Sequence, residues 1–358
     1  MAVGYESSGA HQWRCGGCGR LDVPSDAVAT RHGTAKRPRP PGGWQSAGTT
    51  SCSRLVHESH RQLIVRDRRV FSHSMPRSSQ APFIDLPAII PEIRAFARRA
   101  VRLHPVPAKK GSLAACEVGG YFSVSKKQPW PTCSEHHCPM VGIMELRAPR
   151  KMLPVLKRYG DLLQVFWCPE DHDPIYGPMP YLRWFAGRST TRNTNAQWKQ
   201  VHSGYGLVPR PCRLHPELIT EYPDPHDLPK SIIRRIEGNA QITAIGERFF
   251  PDHDDYGASA AYMAYKLALS CAPGTKLGGW GYWIQRSIRP TCRCGARMVL
   301  LLTVASREWN IQTQFRWKPT TASNDDQLGV MLGDCGRLYI LACPSCAELT
   351  ITADMQSS

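Results

Sequence analysis

The chain has 358 residues, enough for one large domain or two ordinary ones with a buried core. Hydrophobic residues make up 42% of it, a share that excludes wholesale disorder. The net charge of +16 favours anionic partners such as RNA or acidic protein segments, although a generally basic proteome would explain it equally well.

Membrane and export signals are missing from the sequence pattern. The first ten residues lack a cationic start followed by an apolar stretch, which predicts that there is no signal peptide. The longest apolar run, Met298 to Ala305, is too short to cross a bilayer. We therefore expect a cytoplasmic protein without membrane contact, in which closely spaced members of the 14 cysteines are metal ligands and not disulfides.

Residues 1–80 are predicted to form a disordered basic extension. Residues 1–74 carry 11 Lys and Arg against 5 Asp and Glu, a net +6 that leaves +10 for the rest, and they show no apolar period. Met75 could serve as an alternative start, in which case the upstream part is not translated. The functional alternative is a zinc finger from Cys15, Cys18, Cys52 and His57, but 33 residues between Cys18 and Cys52 are many for such a finger.

Three helices are predicted in chain order. Apolar residues from Ile89 to Val101 share one face, which predicts an amphipathic docking helix whose arginines are solvated. A second helix runs from Pro229 to Glu237 and stops at Gly238, and a third, rich in alanine, runs from Ser259 to Ser270. The remainder consists of short β-runs broken by Pro and Gly, so the fold class is α+β with the sheet dominant.

An internal repeat organises the ordered part. Gly119-Gly120 and Gly278-Gly279 are each followed, 13 residues after the second glycine, by a cysteine that ends a Pro-Thr-Cys sequence. Each copy continues through a methionine into an apolar strand (residues 141–146 and 299–304), and then through a second strand into Cys-Pro (residues 163–169 and 338–344). We therefore predict two β-rich, pseudo-symmetric repeats, at 81–215 and 216–355, each covering the apolar face of the other. The glycine pairs would allow positive φ at a tight connection.

The second repeat contains a predicted zinc knuckle. Cys292-x-Cys294 and Cys343-x-x-Cys346 supply four thiolates from two turns, the usual way to build a tetrahedral site. The set is closed, so the zinc would be structural. Buried or redox-active cysteines are the alternative.

The first repeat has a parallel but altered set of candidates, Cys133, His136, His137, Cys138, Cys168 and His172. A site from Cys133, Cys138 (or His137), Cys168 and His172 is predicted, with His172 in the place of Cys346. The alternative is that this copy has lost its metal.

Weaker candidates lie elsewhere. The acidic run Asp252 to Asp255 could bind a hard cation but reads more simply as a surface loop. Trp280 and Trp283 could grip a partner, although packing in the core explains such aromatics as well. Isolated cysteines at Cys116, Cys212, Cys271 and Cys335 are read as packing residues.

These motifs resemble the YwqG-like family, which has no established activity. The resemblance is carried by the run from Lys276 to Gln285, the knuckle cysteines and the stretch from Gly333 to Tyr339, and more weakly by the first repeat. It covers roughly residues 80–352. More distantly the pattern is similar to programmed-cell-death-2-type proteins, which escort a ribosomal protein. The resemblance implies a binding or chaperone-like module and supplies no catalytic residue.

Three functions are consistent with the sequence. The first is a non-enzymatic, zinc-stabilised module that binds a protein or peptide, for example a ribosomal protein. The second is RNA binding through the basic surface. The third is a metal-dependent hydrolase at the first-repeat site, which would need zinc with a bound water.

Overall fold

The computed structural model describes residues 78–108, 116–147, 160–185, 191–194, 206–252, 254 and 257–358. The predicted disordered extension, the alternative start at Met75 and the finger candidates Cys15, Cys18, Cys52 and His57 lie outside the described residues. So do His253 and Asp255 of the acidic run.

The described chain consists mostly of β-strands. Their bounds are β1 Arg98–Arg102, β2 Pro105–Pro107, β3 Cys116–Val118, β4 Phe122–Val124, β5 Val141–Arg147, β6 Leu162–His172, β7 Gly177–Trp184, β8 Thr191–Asn193, β9 Cys212–Leu214, β10 Glu217–Glu221, β11 Lys276–Gly278, β12 Val299–Ala305, β13 Arg337–Ala342 and β14 Ile351–Gln356. The strands predicted at 141–146, 163–167, 299–304 and 338–342 are thereby confirmed.

Helices are few and short. They are α1 Leu86–Ile89, a 3-10 helix Pro91–Phe96, a 3-10 turn Pro225–Asp227, α2 Lys230–Glu237, α3 Ala240–Phe249, α4 Ala260–Ala264, which continues as a π-helical turn Tyr265–Leu269, and α5 Gln314–Trp317. The helices predicted at 229–237 and 259–270 are confirmed. Helix α3 was not predicted; Asn239 caps it by accepting hydrogen bonds from the backbone N–H groups of Gln241 and Ile242.

The prediction of a single long helix from Ile89 to Val101 is wrong. Pro91 starts a separate 3-10 helix, and the residue before it, Ile90, has the extended backbone that a following proline imposes. Residues Arg98–Arg102 then form β1, which pairs with β10 on one side and β11 on the other. Arg102 is 1% exposed, so it does not belong to a solvated face.

Two six-stranded antiparallel sheets contain most of the strands. Sheet 1 has the order β2-β9-β3-β5-β6-β7 and sheet 2 the order β10-β1-β11-β12-β13-β14, while β4 and β8 form a separate pair. One hydrophobic cluster contains buried side chains of both sheets, among them Val118, Ile143, Val165, Leu277, Leu301 and Leu338. The apolar faces of the sheets therefore cover each other. A second cluster lies among the helices and includes Ile93, Ile236, Ile242, Tyr265 and Leu267.

Four neighbouring strands of each sheet follow the same order along the chain. In each sheet, the strand at the glycine pair is followed by an apolar strand, then by the strand that runs into Cys-Pro, and last by the edge strand. These four strands are β3-β5-β6-β7 in sheet 1 and β11-β12-β13-β14 in sheet 2. The pairing of the two middle strands shifts at the same place, between Gly142 and Met144 in sheet 1 and between Leu300 and Leu302 in sheet 2. Gly119, Gly278 and Gly279 have the positive φ that the sequence predicted.

Candidate metal centres

The four cysteines of the predicted knuckle converge at one end of sheet 2. Cys292 and Cys294 lie on a hairpin closed by the hydrogen bond from Met298 N to Pro290 O (3.0 Å), and Cys343 and Cys346 follow β13. The sulfurs of Cys292 and Cys346 are 3.7 Å apart, and those of Cys294 and Cys343 are 3.5 Å apart. All four sulfurs lie within 4.8 Å of one another.

These separations fit a tetrahedral thiolate site. A metal–sulfur bond of about 2.3 Å places the sulfurs of a tetrahedron about 3.8 Å apart. The backbone N–H groups of Ser345 and Cys346 each donate to the sulfur of Cys343 at 3.4 Å. The Ser345 contact is the main cause that lowers the pKa of Cys343 to about 6, which favours a thiolate at this position. The contact with Thr350 acts to lower the pKa of Cys346, but the neighbouring thiols raise it to about 12, so the metal-free group holds its negative charge on Cys343. The group could therefore hold a metal ion, and zinc is the ion that its donors and spacing fit.

A second group of donors lies at the corresponding end of sheet 1. It consists of Cys133, His136, Cys168 and His172, whose donor atoms again lie within 4.8 Å of one another. His136 Nδ1 is 3.5 Å from the Cys168 sulfur and 3.2 Å from His172 Nε2. The sulfur of Cys133 is 3.8 Å from His172 Nε2. Bonds of about 2.0 to 2.3 Å from one zinc would span such separations.

The carboxylate of Glu135 orients His172 by its contact with the ring nitrogen that faces away from the other donors. His172 Nδ1 lies 2.8 Å from Oε2 of Glu135, so Nε2 faces the other donors. A carboxylate on the far nitrogen of a ligating histidine is the usual outer-shell partner in metal sites, because it sets the tautomer and the ring orientation.

The first-repeat group differs from the predicted set at one position. Cys133, Cys168 and His172 are members, but the fourth member is His136. Cys138 lies beside the group, with its sulfur 3.6 Å from that of Cys168. His137 has a positive φ of 51° and lies outside the group.

The hairpins explain the difference. Cys133 N donates to Cys138 O at 2.9 Å, and Cys292 N donates to Ala296 O at 2.9 Å, so Cys138 corresponds to Ala296. His136 then takes the place of Cys294. The sequence carried this signal, since the first hairpin is one residue longer than the second between the shared cysteine and the shared methionine.

The two tryptophans proposed to grip a partner are engaged inside the molecule. Trp283 is 4% exposed, its Nε1 donates to Asp227 Oδ2 at 2.6 Å, and its ring packs on Tyr339. Trp280 is half-buried, its Nε1 donates to the backbone oxygen of Phe96, and Arg98 covers one face of its ring at 3.4 Å. Trp283 therefore presents no surface to a partner.

The isolated cysteines are accounted for by packing. Cys116, Cys212 and Cys271 are buried, and Cys335 is half-buried and accepts a hydrogen bond from Arg307 Nε at 3.4 Å.

A cleft of about 540 Å³ opens along the outer strand of sheet 2. Its walls are the segment Ser79 to Pro87 on one side and β10 on the other, with Arg316 and Trp317 of α5 at one end. Among the strands of the described residues, β10 is the edge of its sheet, and none of them pairs with its outer side.

Comparison of the sequence with models of known protein families gives no match, and no curated protein matches it. Within the described residues, no helix has the length and apolar character that a membrane span requires.

Proposed function

We propose that this protein is a zinc-stabilised binding module of YwqG-like type, built from two repeats, which captures a protein segment and performs no chemistry. The observation that carries the zinc part is the convergence of Cys292, Cys294, Cys343 and Cys346 at tetrahedral spacing. The matching strand order of the two sheets supports the duplication.

A structural role follows from the number of protein donors. Each group offers four ligands, which fills a tetrahedral zinc and leaves no position for a reacting water. A hydrolase at the first-repeat group would need such a position. The four-donor sets therefore favour binding over catalysis.

The cleft beside β10 is the place where a partner would bind. An extended segment that adds to the outer side of β10 would gain backbone hydrogen bonds, while the cleft walls would select its side chains. The exposed residues Thr220 and Ala81 line it, and Ile219 and Trp317 give it an apolar floor. The resemblance noted above makes a newly made ribosomal protein one candidate for the segment.

The zinc proposal is tested by metal analysis of the purified protein. We expect two equivalents of zinc per chain, one for each group. Replacing Cys343 and Cys346 together by Ser should remove one equivalent and unfold the end of sheet 2, because metal binding contributes folding free energy. The matched control is Cys271→Ser, a buried thiol outside both groups. Metal-free protein that stays fully folded would contradict the proposal.

The cleft proposal is tested with peptides selected by the wild type from a displayed library. Thr220→Arg places a long side chain in the cleft, whereas Leu218→Arg changes the same strand at a 55% exposed residue that does not line it. We expect at least about a tenfold loss of peptide affinity for Thr220→Arg, roughly 1.4 kcal/mol, and little change for Leu218→Arg. Equal peptide affinities in the two variants would show that the peptide does not bind in the cleft.

RNA binding is the second candidate, favoured by one observation. The segment from Leu277 to Ser306 holds four arginines and no acidic residue. The side chains of Arg286 and Arg289 are 73% and 56% exposed, although each also pairs with a carboxylate, Asp354 and Asp227. If RNA is the partner, its affinity should fall steeply with salt. Arg286→Gln with Arg289→Gln should then weaken binding while Thr220→Arg leaves it unchanged.

A further inference from the structure

The thiol of Cys138 lies at the first metal centre without being one of its four donors. Its sulfur is 3.6 Å from the sulfur of Cys168. Cys168 is fully buried, whereas Cys138 is half-buried at the surface of the hairpin. An accessible thiol thus lies against a buried ligand.

The metal group is complete without this thiol. Cys133, His136, Cys168 and His172 already supply four donors, and Glu135 holds His172 in place. The second centre has Ala296 at the position of Cys138, so four donors are sufficient there too. Coordination therefore does not explain the presence of Cys138.

We infer that Cys138 and Cys168 are an oxidation site: a peroxide joins them in a disulfide and thereby releases the metal of the first centre. This inference rests on the proposed function, since it requires metal at that centre. The second centre has no thiol outside its donor set at the corresponding position, so metal release from it should not depend on Cys138.

The chemistry balances with hydrogen peroxide as the oxidant. The accessible Cys138 gives up its proton, and its thiolate attacks one peroxide oxygen; the O–O bond breaks, Cys138 becomes a sulfenic acid, and the hydroxide that leaves takes up a proton to form water. The Cys168 thiolate then attacks the Cys138 sulfur, and the S–S bond forms as hydroxide leaves and takes up a proton. The two sulfurs lose two electrons and the peroxide gains them.

Loss of the Cys168 thiolate leaves the metal with three donors. The sulfurs need only close from 3.6 Å to the S–S bond length of about 2.05 Å, which a hairpin residue can do by a small movement. Cys138 is free to make that movement because no metal holds it.

The test is peroxide treatment of the full chain, with released zinc measured by a chromogenic chelator. We expect the wild type to release one equivalent at least about tenfold faster than Cys138→Ala, because the variant lacks the accessible thiol that peroxide oxidises first. Cys335→Ala, which removes a half-buried thiol outside both groups, should behave as the wild type. Peptide mapping of the oxidised wild type should show the Cys138–Cys168 disulfide.

Three outcomes would overturn the inference. Untreated Cys138→Ala that lacks one zinc would show that Cys138 is a ligand. Equal release from the wild type and Cys138→Ala, or release without the mapped disulfide, would show that oxidation acts elsewhere. Wild type that holds no zinc before treatment would also refute the proposed function, whereas the first two outcomes leave it standing.

Discussion

The charged side chains of Arg102 and Glu308 are almost completely buried at sheet 2. Their side chains are 1% and 3% exposed. Nε and Nη2 of Arg102 and Oε1 of Glu308 are buried without a hydrogen-bond partner. Glu308 Oε2 accepts the backbone N–H of Thr275 at 3.0 Å. Burial is the main cause that raises the pKa of Glu308 to about 6 and lowers that of Arg102.

The raised pKa of Glu308 predicts a dependence of stability on pH. The folded chain binds this proton more tightly than the unfolded one, whose carboxyl has a pKa near 4.5, so stability falls as pH rises from about 4.5 to about 6. Glu308→Gln is neutral throughout. We expect its stability relative to the wild type to rise by up to about 2 kcal/mol between about pH 4 and about pH 7.5, measured by urea unfolding. A difference that does not change with pH would contradict the raised pKa.

At the scale of elements, the two knuckle hairpins are alike in backbone and different in charge. Four thiolates around a divalent zinc leave a net negative charge, whereas two thiolates and two neutral histidines leave none. Arg293 and Arg297 lie on the four-thiolate hairpin, and Glu135 lies on the other. Each hairpin thus carries outer charges that suit its own donor set.

Glu135 offers a test confined to one centre. Its side chain is 63% exposed, so Glu135→Gln should not disturb folding. The loss of the carboxylate behind His172 should weaken metal binding at the first centre by about 10-fold to 100-fold. Competition with a chelator should resolve one weakened and one unchanged equivalent. Two unchanged equivalents would show that the Glu135 carboxylate does not support the binding of metal by His172.

At the scale of the whole molecule, one antiparallel ribbon joins the two sheets. Residues 98–102 pair with 217–221 in sheet 2, and residues 105–107 pair with 212–214 in sheet 1, in one continuous register. Both segments contain Arg-Leu-His-Pro, at 102–105 and 213–216. Each segment crosses from one sheet to the other, so the first predicted repeat contains all the strands of sheet 1 and also β1, a strand that sheet 2 needs and the second repeat lacks.

The start of the described chain is tied to this ribbon. Ser79 N and Oγ donate to the Glu217 carboxylate at 3.0 and 2.7 Å, and His104 Nε2 lies 2.6 Å from the same carboxylate. A chain that starts at Met75 should melt at the same temperature as the full chain. A chain that starts at Pro82 lacks Ser79 and should melt about 2 °C lower or more, since losing such hydrogen bonds costs about 1–3 kcal/mol. Calorimetry of the full chain and the two shortened chains measures these melting temperatures. If the chain that starts at Met75 melts lower than the full chain, residues 1–74 contribute to stability.

The sequence by itself determined the local features of this protein. The knuckle cysteines, the apolar strands that run into Cys-Pro and the glycines with positive φ were all predictable, because each depends on residue types at short spacing. A hairpin needs only its own residues to bring Cys292 and Cys294 together. The same holds for the helix that ends at Gly238.

Only the tertiary structure decided the features that depend on distant partners. Arg98–Arg102 forms a strand because it pairs with Glu217–Glu221, which lies more than 100 residues further along the chain. These tertiary hydrogen bonds outweigh the helical pattern of its apolar residues. The first group forms only in the folded chain, because Cys168 and His172 reach the hairpin of Cys133 and His136 from β6, some 30 residues further on. Trp283 is buried because Asp227 and Tyr339 meet it from other parts of the chain. Residue spacing carries no information about such contacts, since they form only when the two sheets close over their shared core.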